Sequence, residues 1–278
     1  MKKIGIVYLK GGLGNQIFQI AFAKHLIDLG LNVFINTSNF KKSKKIKDPG
    51  VDLRELIFPI ATFKMKIISD SLFVLFEIIM KITKNLFITK HNDKNFNIKN
   101  IGGVNFFEGH WQKPEILIRN KNFIISSLSE NKIVKKTINI PALTGSTVLH
   151  VRRSDYLKID EELKNSFYIE AIQRAKNEID NFHYSVFTDD YTWVKNNKIF
   201  NDADEIVHSS NSVEDTLETF AKMLTYENFI VGNSTFSLIP ALISNEKNKK
   251  IIIADPWYRN TKINIDFPGA IKIKNTES

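Results

Sequence analysis

Apolar positions open the chain as a short unbroken block, Ile4-Gly5-Ile6-Val7-Tyr8-Leu9, that stops at Lys10-Gly11-Gly12. A strand covered on both faces reads this way. Ile17, Phe18, Ala21, Phe22, Leu26 and Leu29 then recur at helical spacing, and Gly30 stands where a helix ends. Asn32-Val33-Phe34-Ile35-Asn36 reads as the next strand. The start of the chain therefore predicts a β-α-β unit with a right-handed crossover.

Residues 37–66 predict a loop with short elements, 67–88 a helix, and 89–103 a polar, irregular stretch. Val104–Phe107 reads as a strand and Pro114–Arg119 as a helix start. Residues 136–146, with Pro141 and Gly145, are the expected boundary, giving units of 1–140 and 141–278. Beyond it the alternation restarts. Strands are expected at 147–151, 184–188, 228–231 and, last, 250–254, with helices at 167–179, 216–224 and 236–243. The expected class is α/β, two Rossmann-like units each built on an open sheet. Such sheets bind ligands outside the carboxyl ends of their strands, and every motif below follows a predicted strand.

Composition narrows this only a little. The 278 residues, 43% of them hydrophobic, suffice for one large core or two modest ones. With no cysteine there is no disulfide framework and no thiolate metal site. The net charge of +9 is mostly scattered lysine and is compatible with nucleic acid, an anionic membrane surface or a phosphorylated small molecule. The densest basic run, Lys41-Lys42-Ser43-Lys44-Lys45-Ile46-Lys47, reads as a solvated loop or as a membrane or phosphate contact. The first apolar run is too short for a secretory signal. The stretch 67–87 carries Asp70, Glu77, Lys81 and Lys84 and reads as a core helix or a surface-lying amphipathic one, not a membrane span. Cytoplasmic placement follows as the expectation.

Four stretches carry candidate chemistry. In Gly11-Gly12-Leu13-Gly14-Asn15-Gln16, between a strand and a helix, glycines let backbone N–H groups approach a phosphate. As a dinucleotide fingerprint it fails at Ile17, and Asn36 replaces the acid that would hold a ribose. His150-Val151-Arg152-Arg153-Ser154-Asp155-Tyr156 delivers two guanidiniums into a strand-end loop. Arginine pairs with phosphate through planar donors, and one of the two can grip a diphosphate while Asp155 holds its neighbour or a backbone turn. Phe187-Thr188-Asp189-Asp190 offers either a metal site or a carboxylate that accepts hydrogen bonds from a base or ribose; the second reading is preferred, since two arginines already compensate a diphosphate. Asp202-Ala203-Asp204 is a literal D-x-D of a kind that arises readily by chance. Gly232-Asn233-Ser234-Thr235-Phe236-Ser237 caps a helix or binds a phosphate at its N-terminus.

In this order and spacing, the motifs at 11–16, 150–156, 188–193 and 233–237, with the aromatic segment 106–112, resemble the α-1,2-fucosyltransferase family, glycosyltransferase family 11. The resemblance implies a GT-B-like fold with the active site in the cleft between two domains, the acceptor side at 1–140 and the GDP-fucose side at 141–278. It implies inverting transfer of L-fucose from GDP-β-L-fucose to the 2-hydroxyl of a galactose, as in surface polysaccharide (O-antigen) synthesis. The acceptor would be a galactose-containing glycan, lipid-linked or free, met with or without peripheral contact at the inner face of the cytoplasmic membrane. No cofactor, metal or nucleic acid is expected. By motif position Arg152 would contact the diphosphate with Arg153 beside it, and His150 and Asp189 the nucleoside. Ser234, Thr235 and Phe236 would line the same pocket, with Gly12, Gly14 and Asn15 near the phosphate or fucose. Asp155 is an acid close in sequence to that site. Ser154 stands where the family usually has glycine, and Leu238-Ile239-Pro240 where two tryptophans are common, which leaves the acceptor and linkage open. A different GDP-sugar or fucosyl linkage and a non-catalytic basic binding protein are the alternative readings.

Overall fold

The computed structural model describes residues 3–37, 66–68, 74–75, 78, 88–94, 96–209, 212–260 and 264–275. The basic run 41–47 lies outside them, as does most of 67–87; there, Val74, Leu75 and Ile78 are helical and about half-exposed. Two compact units divide between Glu130 and Asn131. That is ten residues ahead of the boundary expected from Pro141 and Gly145, because the helix Lys132–Thr137 packs on Val213–Met223 of the second unit.

The first unit is a parallel five-stranded sheet in the order β3-β2-β1-β5-β4. Its strands are β1 (Ile4–Tyr8), β2 (Asn32–Asn36), β3 (Lys66–Ile67), β4 (Ile88–His91) and β5 (Val104–Phe107). Helix α1 (Leu13–Asp28) makes the predicted crossover, and α2 (Pro114–Arg119) and α3 (Lys121–Leu128) follow β5. α1 is buried almost all round, Gln16 and Gln19 included. The Gln19 amide is satisfied, its Oε1 accepting from Lys10 N (2.9 Å) and its Nε2 donating to Gly109 O (3.0 Å); Gln16 Nε2 donates to Gly11 O (2.6 Å), while its buried Oε1 has no hydrogen-bond partner among the described residues. β4 corrects the expectation of an irregular 89–103. Its four residues mix apolar and polar side chains, and its order comes from parallel pairing with β5 rather than from any local pattern.

The second unit is a parallel six-stranded sheet in the order β11-β10-β9-β6-β7-β8. After α4 (Lys132–Thr137) come β6 (Leu143–Val151), α5 (Asn165–Glu178), β7 (His183–Thr188), α6 (Tyr191–Asn196) and β8 (Ile206–His208). Then follow α7 (Val213–Met223), β9 (Tyr226–Gly232), α8 (Thr235–Ile243), β10 (Ile251–Asp255) and β11 (Ala270–Lys274). β10 is therefore not the last strand; β11 pairs with it in parallel. The core lies between β6, β7, β9 and β10 and the predicted face of α5, where Tyr168, Ala171 and Ala175 are fully buried. Burying each large apolar side chain there contributes about 1.5–3 kcal/mol.

Candidate functional site

Topology locates the crevice in each sheet before any motif is consulted. In the second unit the chain runs from β6 outward through β7 and β8, then crosses back to lay β9 on the other side of β6. The switch point lies between the carboxyl ends of β6 and β9, where open α/β sheets bind ligands. The 150–156 stretch leaves β6 there and the 232–237 stretch leaves β9. In the first unit the switch point lies between β1 and β5, and the glycine loop and the aromatic segment leave those two strands.

His150 forms the floor of the second crevice. It is 5% exposed, and its ring lies 5.9 Å from that of Phe236. Its Nδ1 is 3.0 Å from Ser237 Oγ, which also lies 3.2 Å from the carbonyls of Val231 and Ser234. A hydroxyl donates one proton, so with a carbonyl receiving it the serine accepts from Nδ1–H and leaves Nε2 as an acceptor. Burial, reinforced by the nearby Arg152 charge, pushes the imidazole pKa down to about 3, so His150 is neutral at working pH.

Arg152 stands at the rim, its side chain one-third exposed and held by two carboxylates. Nε donates to Asp155 Oδ1 (2.7 Å), and Nη1 lies 3.1 Å from Asp189 Oδ2. Burial works against its cation, but the Asp155 hydrogen bond and the Asp189 charge outweigh it and raise the pKa. Asp189 is more than an ion partner. Its side chain is 8% exposed, and it also accepts from Arg153 N (2.9 Å) and Ser154 N (3.3 Å). One carboxylate thus holds the backbone turn and the guanidinium together.

Arg153 has a different fate. Its Nε donates to Asp190 Oδ2 (3.2 Å), and its guanidinium carbon lies 3.9 Å from the Trp193 ring centroid. Asp190 caps α6 through Trp193 N (3.1 Å), so acid, arginine and indole form one clamp. Of the two arginines and the backbone turn that the sequence left open as partners of Asp155, it holds Arg152, three residues away on the same turn. Trp193 was visible in the sequence as the residue three after Asp190.

Ser234 is the N-cap of α8 by backbone conformation, but its side chain makes no capping hydrogen bond. Capping therefore does not explain the hydroxyl. Thr235, 8% exposed, begins the helix, and Phe236 packs on Phe220 (5.9 Å between centroids). The remaining candidate acids are engaged elsewhere: Asp204 meets His183 Nδ1 (2.6 Å) and Asp202 lies 3.7 Å from Lys176. Among the described residues no three His, Asp or Glu side chains gather as metal ligands.

In the first unit Gly11 has φ +79°, open to glycine at little cost. A Cβ there would meet Asn15 Nδ2 at 2.7 Å, whereas one on Gly12 would meet nothing within 4 Å. Gly14 is already inside α1 and buried. Asn15 Oδ1 accepts from Gln112 Nε2 (2.8 Å), which ties the glycine loop to the aromatic segment. Asp93 fixes that segment by accepting from His110 N (2.8 Å) and Trp111 N (2.7 Å), with Gly109 leaving room for its carboxylate. No described helix is long and apolar enough to cross a membrane.

The chain is 27% identical over 285 aligned residues to an α-1,2-colitosyltransferase of Escherichia coli, covering 94% of each. Among solved structures, a mutant of Arabidopsis thaliana FUT1 in complex with GDP matches 90% of this chain and 70% of its own, at 12% identity and a TM-score of 0.48. The NodZ α-1,6-fucosyltransferase soaked with GDP-fucose matches 87% and 93%, at 14% identity and a TM-score of 0.45. The family model described as glycosyl transferase family 11 matches residues 7–264, nearly the whole chain, and the protein belongs to that family.

Proposed function

We propose that this glycosyltransferase moves L-fucose from GDP-β-L-fucose to the 2-hydroxyl of a galactose residue, with inversion and without a metal ion. The observation that carries the donor half is Arg152, a cation fixed by Asp155 and Asp189 at the β6/β9 switch point. During transfer the bond from the sugar's anomeric carbon to the β-phosphate oxygen breaks and its electron pair stays on GDP. The acceptor oxygen bonds to the anomeric carbon from the opposite face and gives up its proton. A cation already in place beside the leaving diphosphate stabilises the transition state more than the ground state. Asp155 and Asp189 act by positioning Arg152, His150 and Phe236 offer a neutral acceptor and an apolar ring to the nucleoside, and Ser234 and Thr235 offer hydroxyls at the amino end of α8.

A second reading keeps the α-1,2 linkage and replaces fucose by colitose, which lacks the 3-hydroxyl; the Escherichia coli relative motivates it. Transfer from GDP-fucose and from GDP-colitose to a panel of β-galactosides, with NMR of the product, tests both. An α-1,2-fucosyl product supports the first reading, colitosyl transfer alone the second, and no transfer from either donor refutes both. Activity in excess EDTA is expected, and strict dependence on a divalent ion would refute the metal-free mechanism. An acceptor on a lipid carrier at the cytoplasmic membrane face fits surface polysaccharide synthesis. It is motivated by the basic run 41–47, and failure to bind anionic vesicles at physiological salt would count against it.

A further inference from the structure

The loop after β10, residues 256–260, belongs to none of the motifs, yet it is fastened to the mouth of the β6/β9 crevice. The fastener is Glu161, a carboxylate 3% exposed in the loop after β6. Its Oε2 accepts from Arg259 N and its Oε1 from Asn260 N, both at 2.8 Å. Its own carbonyl accepts from Asn233 Nδ2 (2.7 Å), in the loop after β9. Three loops, from β6, β9 and β10, thus converge on one residue. A carboxylate that deep costs several kcal/mol unless its lone pairs are filled, and here two backbone N–H groups fill them.

This convergence places Tyr258 beside Tyr156, the last residue of the arginine motif. The Tyr156 hydroxyl is 3.1 Å from Asn233 O and 3.1 Å from the Tyr258 hydroxyl. A carbonyl only accepts, so Tyr156 donates to Asn233. Its proton is then spent, and the Tyr258 proton must point at Tyr156. The chain of hydrogen bonds runs one way, from Tyr258 through Tyr156 to Asn233, and leaves the Tyr258 oxygen with no proton to give and two lone pairs, one of which faces the neighbouring Trp257 indole N–H. Such an oxygen accepts from a hydroxyl and repels a phosphate oxygen. Burial raises the pKa of both phenols, Tyr156 well above the ordinary value, which keeps the chain protonated.

We infer that Tyr258 is a donor-binding residue whose oxygen accepts a hydrogen bond from a sugar hydroxyl of the nucleotide sugar, and that Glu161 is the positioning residue that holds it there. The inference rests on the donor reading above and adds to it a recognition element for sugar rather than phosphate.

Titration calorimetry with GDP-fucose, GDP and inorganic pyrophosphate, on the full chain and on Tyr258→Phe, Glu161→Gln and the double variant, tests it. Tyr258→Phe should weaken GDP-fucose binding about tenfold, the worth of one hydrogen bond, and leave pyrophosphate unchanged. If GDP is weakened equally, the hydroxyl is on the ribose; if GDP is unaffected, it is on the transferred sugar. Glu161→Gln should weaken GDP-fucose by a similar factor. The double variant should lose about tenfold in total, not about a hundredfold, because both changes remove one contact. A purely structural Glu161 would lower the melting temperature without this coupling. Wild-type affinity for GDP-fucose in Tyr258→Phe, or losses that multiply, overturns the inference alone. A wild-type chain that binds neither GDP nor GDP-fucose overturns the donor reading, and this one with it.

Discussion

Replacing Asp189 by Asn separates two roles that the same carboxylate could play. As found, it accepts from Arg153 N (2.9 Å), Ser154 N (3.3 Å) and Arg152 Nη1 (3.1 Å) with its side chain 8% exposed. Asparagine fills the same volume and keeps one oxygen. With that oxygen on Arg153 N, the new amide NH2 faces two donors, Ser154 N–H and the Arg152 guanidinium. The lost bonds are one long contact from a backbone N–H to the carboxylate, worth about 1 kcal/mol at that length, and one between full charges, worth about 1.5–3 kcal/mol. The expected loss is about 2–4 kcal/mol, spread between global stability, read by urea titration, and order of the 152–154 turn. If the carboxylate works by holding Arg152, Asp189→Asn weakens GDP and inorganic pyrophosphate by the same factor, since both meet the displaced guanidinium. If it contacts base or ribose directly, GDP weakens and pyrophosphate does not. Equal binding of both ligands by variant and wild type, with stability within about 0.5 kcal/mol, would refute the positioning argument built on these distances.

Arg152→Ala should reduce transfer by at least about a hundredfold at unchanged fold, whereas Arg153→Ala should chiefly destabilise, by about 1–2 kcal/mol, through loss of the Trp193 stack and the Asp190 pair; steady-state kinetics beside urea unfolding of each variant distinguishes them. Gly11→Ala should destabilise the first unit by about 1 kcal/mol or more, because φ +79° disfavours a Cβ and the new methyl displaces Asn15 from Gln112; unchanged unfolding free energy would contradict it. His150 sets a pH dependence of stability. Its folded pKa of about 3 lies below the ordinary 6.5, so the unfolded state takes up the proton first, and the contribution is complete above about pH 6.5. It is lost as pH falls toward 3, by about 1.4 kcal/mol per pH unit. Urea titrations at pH 7 and 5 should show a drop that His150→Asn reduces.

Strands and helices that bury a continuous apolar block were legible from spacing alone: β1, α1, β2, β5 and α5 lie where periodicity puts them, and β6 ends where periodicity puts it but begins at Leu143, inside the expected boundary 136–146. β4, β8 and β11 were not. β8 has three residues, β4 is polar after Ile88, and β11 alternates isoleucine with lysine over its last four residues, so what orders them is the neighbouring backbone. A parallel sheet recruits such edges through main-chain hydrogen bonds that leave no mark on residue choice. The unit boundary was misplaced for a related reason. Pro141 and Gly145 signal a turn, but whether α4 belongs before or after that turn is decided by its packing on α7.

The site divides along the same line. A motif shows which chemistry reaches a strand end; it does not show which members are spent on each other. His150-x-Arg152-Arg153 reads as two equivalent phosphate ligands, and the fold makes them unequal: Arg153 goes under Trp193 and against Asp190, while Arg152 keeps a third of its surface in solvent. The assignment turns on residues 36 or more positions away, a separation at which sequence carries no local signal. Tyr258 and Glu161 are the extreme case. Neither belongs to a recognisable string, and the direction of the hydrogen bonds through Tyr156 to Asn233 follows from the fact that a backbone carbonyl cannot donate. Specificity for a sugar hydroxyl would then be written in a three-group relay assembled from three strand ends, and the part of this enzyme that chooses its donor would be the part that its motifs do not spell.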